Sequence, residues 1–180
     1  MSQDLGAIRK FVEEWQPDVA FNLLEEFQGV AVFDQHVVSY LELTKLPYAG
    51  CNPRGLMLAH DKALSKQILS YHRIPTPRFA VFERGRTVTL RRRYAFPLLV
   101  KSVIEEASLG ISQKSIVRSP EALKARVDYV HEELKTDALV EEFIEGRELY
   151  VGVIGNRRLQ TLPIWEMTFR NLPDDVANIA

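Results

Sequence analysis

Lys101 closes the apolar run Phe96-Pro97-Leu98-Leu99-Val100. A lysine at the end of a buried strand costs desolvation energy unless an anion meets it, although a lone strand-end lysine also snorkels to water along its own stem. The segment Ile104 to Ser112 follows, carrying Ser108, Gly110 and Ser112: hydroxyls and a pliable backbone whose N–H groups can wrap a phosphate. On their own, small residues in a loop simply make a turn. The third group is Val140-Glu141-Glu142-Phe143-Ile144-Glu145-Gly146-Arg147-Glu148. Glu141 ends one strand and Glu148 opens the next, with the apolar pair Phe143-Ile144 between them. Carboxylates so placed can accept from an exocyclic amine or a ribose hydroxyl, and a strand–linker edge presents N–H and C=O groups to a purine ring. A charged hairpin rim is the plainer reading of that segment. Taken in order, the three groups support a nucleotide phosphate site.

The elements that must position these residues follow from periodicity and punctuation. Leu5, Ile8, Phe11, Val12 and Trp15 have helical spacing behind a cap at Asp4, and Pro17 ends that helix. Asp18 to Leu24 reads as a buried strand, Phe33 to Thr44 as a helix, and Leu46 to Gly50 as a short strand. This is the rhythm of an open parallel α/β layer, here opening without its first strand. Asn52-Pro53-Arg54-Gly55 marks a change of regime. A helix is expected over 61–69, then strands over 78–82, 98–102 and 114–117. Ser119-Pro120-Glu121 starts a helix reaching about Leu134. Ala138–Phe143 and Glu148–Ile154 are expected to form a hairpin, with a further strand over Arg158–Ile164. The first third is thus α/β and the remainder α+β.

Composition narrows the classes. Twenty-three Lys and Arg against twenty-four Asp and Glu leave a formal charge of −1, without the basic excess of a nucleic-acid or anionic-membrane surface. The one basic cluster, Leu90-Arg91-Arg92-Arg93, lacks interleaved aromatics and reads as a solvated turn. A single cysteine, Cys51, excludes an intrachain disulfide and fits a reducing compartment. No apolar run approaches the ~20 residues of a membrane span, so a cytoplasmic protein is expected.

The order of an apolar strand ending in lysine, a small-residue loop, a helix and E-E-F-I-E-G-x-E resembles the ATP-grasp superfamily, specifically the D-alanine–D-alanine ligase-like carboxylate–amine ligases. The segments DVAFNLL, LPYAGCNPRGLMLAHDKALSKQIL, IPTPRFAVF, FPLLVKS, EEASLGIS, VEEFIEGRELYVGVIG and LPIWEM each resemble part of such ligases, in the same order. The resemblance implies a partial pre-ATP-grasp Rossmann-like layer over 1–58, an ATP-grasp small subdomain over 59–143 and the start of the large subdomain over 144–180. It implies ATP as ligand, with Lys62 and Lys101 on the phosphates and Ser108, Leu109 and Gly110 in the covering loop. Glu141, Phe143 and Ile144 would line the adenine slot, and Glu148 would take the ribose hydroxyls. The implied reaction joins an amino-acid or peptide-like carboxylate to an amine through an acyl-phosphate, with Mg²⁺. The implied protein is a soluble enzyme, in some members a homodimer, with no nucleic-acid or membrane partner.

This sequence departs from the pattern in three places. Glu105-Glu106-Ala107-Ser108 stands where the family has Glu-Gly-Ser-Ser, removing one glycine and one hydroxyl. Glu25-Glu26 stands where D-alanine ligases have His-Gly, which leaves the amino-acid substrate open. The family's Asp and Glu-x-Asn metal ligands belong beyond Ala180, so no metal ligand or catalytic residue is assigned in this chain. The chain is expected to be a piece of a longer ligase, inactive alone; a nucleotide-binding module without turnover is the alternative.

Overall fold

The computed structural model describes residues 4–89, 94–105 and 110–169. Helix α1 (Leu5–Trp15) is capped by Asp4, whose carboxylate accepts from the Gly6 amide at 2.9 Å. Helix α2 (Asp34–Thr44) buries Val37, Val38 and Leu41. Helix α3 (Pro53–His60) begins where the sequence suggested only a change of regime. Asn52 caps it, accepting from the Gly55 amide at 2.8 Å, and Pro53 occupies its first turn. Both signals are present in the sequence, where a helix-capping Asn followed by Pro at the first helical position also suits a turn. Helix α4 (Lys62–Tyr71) follows after one residue, Asp61, which accepts from the Leu64 amide.

Four strands form the central sheet: β1 (Phe79–Phe82), β2 (Leu98–Ser102), β3 (Ile116–Val117) and β4 (Ala138–Glu142), in the order β1-β4-β2-β3. All neighbours are antiparallel, with Val100 opposite Val140 and Leu99 opposite Glu141. Helix α5 (Pro120–Tyr129), capped by Ser119, continues as a π-helical turn over Val130–Leu134. It packs Leu123, Val127 and Val130 against Leu98, Val100, Val117, Ala138 and Val140. On the other face Leu139 and Val103 meet Ala63 of α4. Side chains alternate across a pleated strand, so each central strand serves both layers.

Several expected strands differ in the structure: Leu46–Gly50 is reduced to a bridge at Tyr48, and Arg158–Ile164 to the two residues Gln160–Thr161. Asp18–Leu24 forms no strand; only Ala20 bridges Tyr48 in parallel. Val19, Phe21 and Leu23 are exposed, and the Asn22 side chain accepts from the Leu24 amide at 3.0 Å, a local bond that competes with a ladder. Residues 113–115 form a 3₁₀ turn, closed by reciprocal bonds between Ser112 and Ser115, which shortens β3. Ala138–Phe143 and Glu148–Ile154 do not pair as a hairpin. Instead β5 (Glu148–Tyr150) pairs with β8 (Trp165–Met167), and β6 (Val153–Ile154) pairs with β7 (Gln160–Thr161). The basic run at 90–93 lies outside the described residues. Among the described residues no helix is long and apolar enough to cross a membrane.

The buried strands set a stability expectation. Leu98→Ala removes a side chain with no solvent exposure and is expected to cost about 3 kcal/mol in urea unfolding. Leu43→Ala, at an exposed position, is expected to stay within about 0.5 kcal/mol.

Candidate functional site

The face of the sheet toward α4 carries the polar chemistry. Alternation turns Leu98, Val100 and Ser102 inward and leaves Leu99 and Lys101 on the opposite face of β2. On β4 the same alternation places Leu139 and Glu141 beside them. The register sets Lys101 opposite Leu139 and Glu141 opposite Leu99, so Lys101 and Glu141 are diagonal neighbours. Lys101 Nζ lies 2.6 Å from Glu141 Oε1. The carboxylate is 5% exposed, and its second oxygen, Oε2, lies 2.7 Å from Lys66 Nζ. Lys66 also donates to the Thr76 hydroxyl at 2.7 Å, and its ammonium stands 5.5 Å from the centre of the Phe79 ring. Two ammonium groups thus hold one buried carboxylate, the arrangement that makes burial of the charge tolerable.

An open groove of about 360 Å³ adjoins this cluster. Its walls include Leu99 and Lys101 from β2, Glu141 from β4, Phe143 and Ile144 from the linker, and Glu148 at the start of β5. The linker is tied at its base: the Glu142 amide donates to the Arg78 carbonyl at 3.0 Å and the Phe143 amide to the Pro97 carbonyl at 3.2 Å. These bonds extend the pairing of β4 with β1 on one edge and β2 on the other, so neither edge is left for β5 to form a hairpin. At the start of β5, Glu148 Oε1 accepts from the Tyr150 hydroxyl at 2.6 Å, and that bond raises the tyrosine pKa. Arg147, also on the groove, lies 3.5 Å from Glu166 of β8.

Five of the residues predicted from the sequence therefore share one groove: Lys101, Glu141, Phe143, Ile144 and Glu148. Lys62 does not line it. The Lys62 ammonium donates to the Glu105 carbonyl, and its own amide donates to the Val103 carbonyl at 3.2 Å, tying the start of α4 to the exit of β2. Gly110 lies beyond the groove too, next to Ile111, which does line it. Its φ of +74° suits glycine, and a Cβ there would fall 2.7 Å from Leu134 Cδ1. Ser108 and Leu109 lie outside the described residues.

Sequence reasoning passed over Lys66, although its place four residues after Lys62 puts both on one side of α4. Arg126 was missed as well. This buried guanidinium donates to the Gly110 carbonyl and, at 2.8 Å, to the Ser115 hydroxyl, and it stacks on Tyr129; burial lowers its pKa. Among the described residues no group of three His, Cys, Asp or Glu side chains is placed to hold a metal ion.

Arg78 Nη2 lies 2.6 Å from Glu142 Oε1, and its hydrogen bond holds the Glu142 carboxyl below the usual range. A lowered folded pKa contributes stability above the unfolded value, and the contribution is lost as pH falls through the folded value. Arg78→Ala is therefore expected to lower Tm slightly at pH 7 and to leave it unchanged near pH 2, read by thermal melts at both pH values.

Comparison with known proteins places these features in context. Residues 68–173 match the family model described as D-ala D-ala ligase C-terminus. An uncharacterised protein, y4sG of Sinorhizobium fredii, is 38% identical over 148 residues, spanning 82% of this chain and 42% of that protein. The D-alanine–D-alanine ligase of Syntrophotalea carbinolica is 40% identical over 135 residues, 73% of this chain and 40% of the ligase. The chain thus spans less than two thirds of the length of these relatives. Among solved structures, a D-alanine–D-alanine ligase from Bacillus anthracis complexed with ATP aligns with a TM-score of 0.73 at 25% identity, covering 91% of this chain and 53% of that one. An L-amino acid ligase from Bacillus licheniformis aligns with a TM-score of 0.69 at 21% identity, covering 90% and 38%. That second likeness concerns the fold.

Proposed function

The chain belongs to the D-alanine–D-alanine ligase C-terminus family of the ATP-grasp fold, and on that premise we propose that the groove beside β4 binds ATP. The observation that carries this reading is the set of groups the groove brings together: Lys101 from β2, the apolar Phe143-Ile144 linker, and Glu148 at the start of β5. Phosphate, base and ribose call for a cation, an apolar slot with backbone hydrogen bonds, and a carboxylate. In the proposed pose Lys101 faces the phosphates. The adenine lies against Leu99 and the linker, where the Ile144 amide has no backbone partner among the described residues. Glu148 accepts from the ribose hydroxyls and gives up its bond from Tyr150 in part. Lys62, held in this structure on the Glu105 carbonyl, would turn to phosphate when nucleotide binds. Residues 59–143 are read as the nucleotide-binding small subdomain, with the segment from 144 opening the large one.

Within a complete ligase, the proposed reaction moves the γ-phosphoryl group of ATP to a substrate carboxylate. An amine then displaces phosphate from the acyl-phosphate, giving an amide, ADP and phosphate. Phosphoryl transfer depends mostly on positioning and charge neutralisation, and lysines aimed at the phosphates supply part of both. An amino-acid or peptide-like carboxylate and an amine are the substrate classes that this family membership supports. Mg²⁺, which the family's chemistry implies, would add charge neutralisation at the phosphates when bound.

Two variants test the site by calorimetric titration of the chain with nucleotide. Lys101→Ala is expected to weaken ATP binding about tenfold to a hundredfold, as loss of a charge-assisted contact predicts; unchanged affinity would remove Lys101 from the phosphate site. Glu148→Gln is expected to weaken ATP more than its 2′,3′-dideoxy analogue. Equal losses for both ligands would end the ribose assignment.

A further inference from the structure

The cluster at the head of the groove contains two lysines and one carboxylate, so it carries one surplus positive charge. Lys66 does not line the groove. Its side chain is 11% exposed, it lies behind Glu141, and it is fixed from three directions: the carboxylate at 2.7 Å, the Thr76 hydroxyl at 2.7 Å and the Phe79 ring. Lys101, at 20% exposure, is the member of the cluster that reaches the groove. Without Lys66, the pair Lys101–Glu141 would be neutral, and an incoming anion would have to compete with Glu141 for the one ammonium.

We propose that Lys66 is a positioning residue that compensates the charge of Glu141 and so leaves the charge of Lys101 available to a phosphate anion in the groove. The inference rests on the nucleotide reading of the groove. Distance and burial both support it. At a few ångströms, in surroundings with an effective dielectric well below that of water, removing one net charge alters the affinity for an anion by roughly tenfold. Lys66 thereby acts on the ligand through the carboxylate, without touching the ligand.

The experiment compares ATP with adenosine, which shares the base and ribose and lacks the charge. Dissociation constants for both are measured by calorimetric titration of the whole chain and of Lys66→Met, Lys66→Arg, Glu141→Gln and the double variant Lys66→Met/Glu141→Gln. The quantity read is the ATP preference, the ratio of the adenosine constant to the ATP constant. Lys66→Met, which neutralises the cluster, is expected to lower that preference about tenfold. Lys66→Arg, which keeps the charge, and the double variant, which restores the surplus, are both expected to stay within about threefold of the parent chain. Glu141→Gln alone is expected to keep or raise the preference. A residue that merely supports the fold would weaken both ligands together, and the double variant would then be no better than the single one. Either of those results overturns the proposal, and so does a lowered preference in Glu141→Gln, which needs no Lys66 variant to fold. If the parent chain binds neither ATP nor adenosine, the nucleotide reading of the groove falls and the proposal with it. If it binds both and Lys66→Met keeps the full preference, only the proposal fails.

Discussion

A carboxylate almost wholly removed from water sits at the centre of this protein, and the arrangement around it follows from that fact. Burying an ionised Glu141 alone would cost several kcal/mol. The cost is offset by two ammonium groups, one from the adjacent strand and one from the helix above, at 2.6 and 2.7 Å. Both lysines must then approach from fixed directions. β2 must lie next to β4 in antiparallel register, and α4 must cross the same face with Lys66 turned toward the sheet. Ala63, Val103 and Leu139 supply the apolar contact that holds α4 there, and Asp61 sets where the helix begins.

The other face of the same sheet is organised by volume. Leu98, Val100, Ala138 and Val140 meet Leu123, Val127 and Val130 of α5 and its π-helical extension. Polar groups gather at its margin. Arg126 reaches past the cluster to the Gly110 carbonyl and the Ser115 hydroxyl, and Thr136 donates to the Ser102 hydroxyl at 2.8 Å. The loop that begins at the end of β2 is therefore met by a cation at each described end: Lys62 at Glu105 and Arg126 at Gly110.

The parts of the site that lie in one segment were legible in the sequence. An apolar strand ending in Lys101 and the E-E-F-I-E-G-x-E run each carry their pattern locally, and the structure brings Lys101, Glu141, Phe143, Ile144 and Glu148 to one groove. Lys66 was not legible, because a lysine on a mixed helix looks like any solvated residue until the helix is docked. The spacing of four from Lys62 was the available signal, and it identifies a shared side of the helix but not which side is buried. Strand partners were also hard to read. Glu148–Tyr150 alternates in a way that suits a hairpin with β4, yet its partner is Trp165–Met167, a choice made by tertiary contacts. The expected strand at 18–24 has suitable residue types, but an Asx bond at Asn22 and the exposure of Val19, Phe21 and Leu23 leave it a single bridge. Asn52 and Pro53 announced α3 clearly, and that helix was missed only because the same pair also starts turns.

Alternation along β2 and β4 has an evolutionary consequence. Adjacent positions of one strand answer to different demands: Leu98 and Val100 to the volume of a packed interior, Leu99 and Lys101 to the open groove they line. Substitutions on the two faces can therefore accumulate at independent rates, with the backbone held by the apolar face while the polar face diverges. Overall percent identity averages the two histories. It understates how well the scaffold persists, as a TM-score of 0.73 at 25% identity illustrates, and it says little about which ligand a descendant accepts.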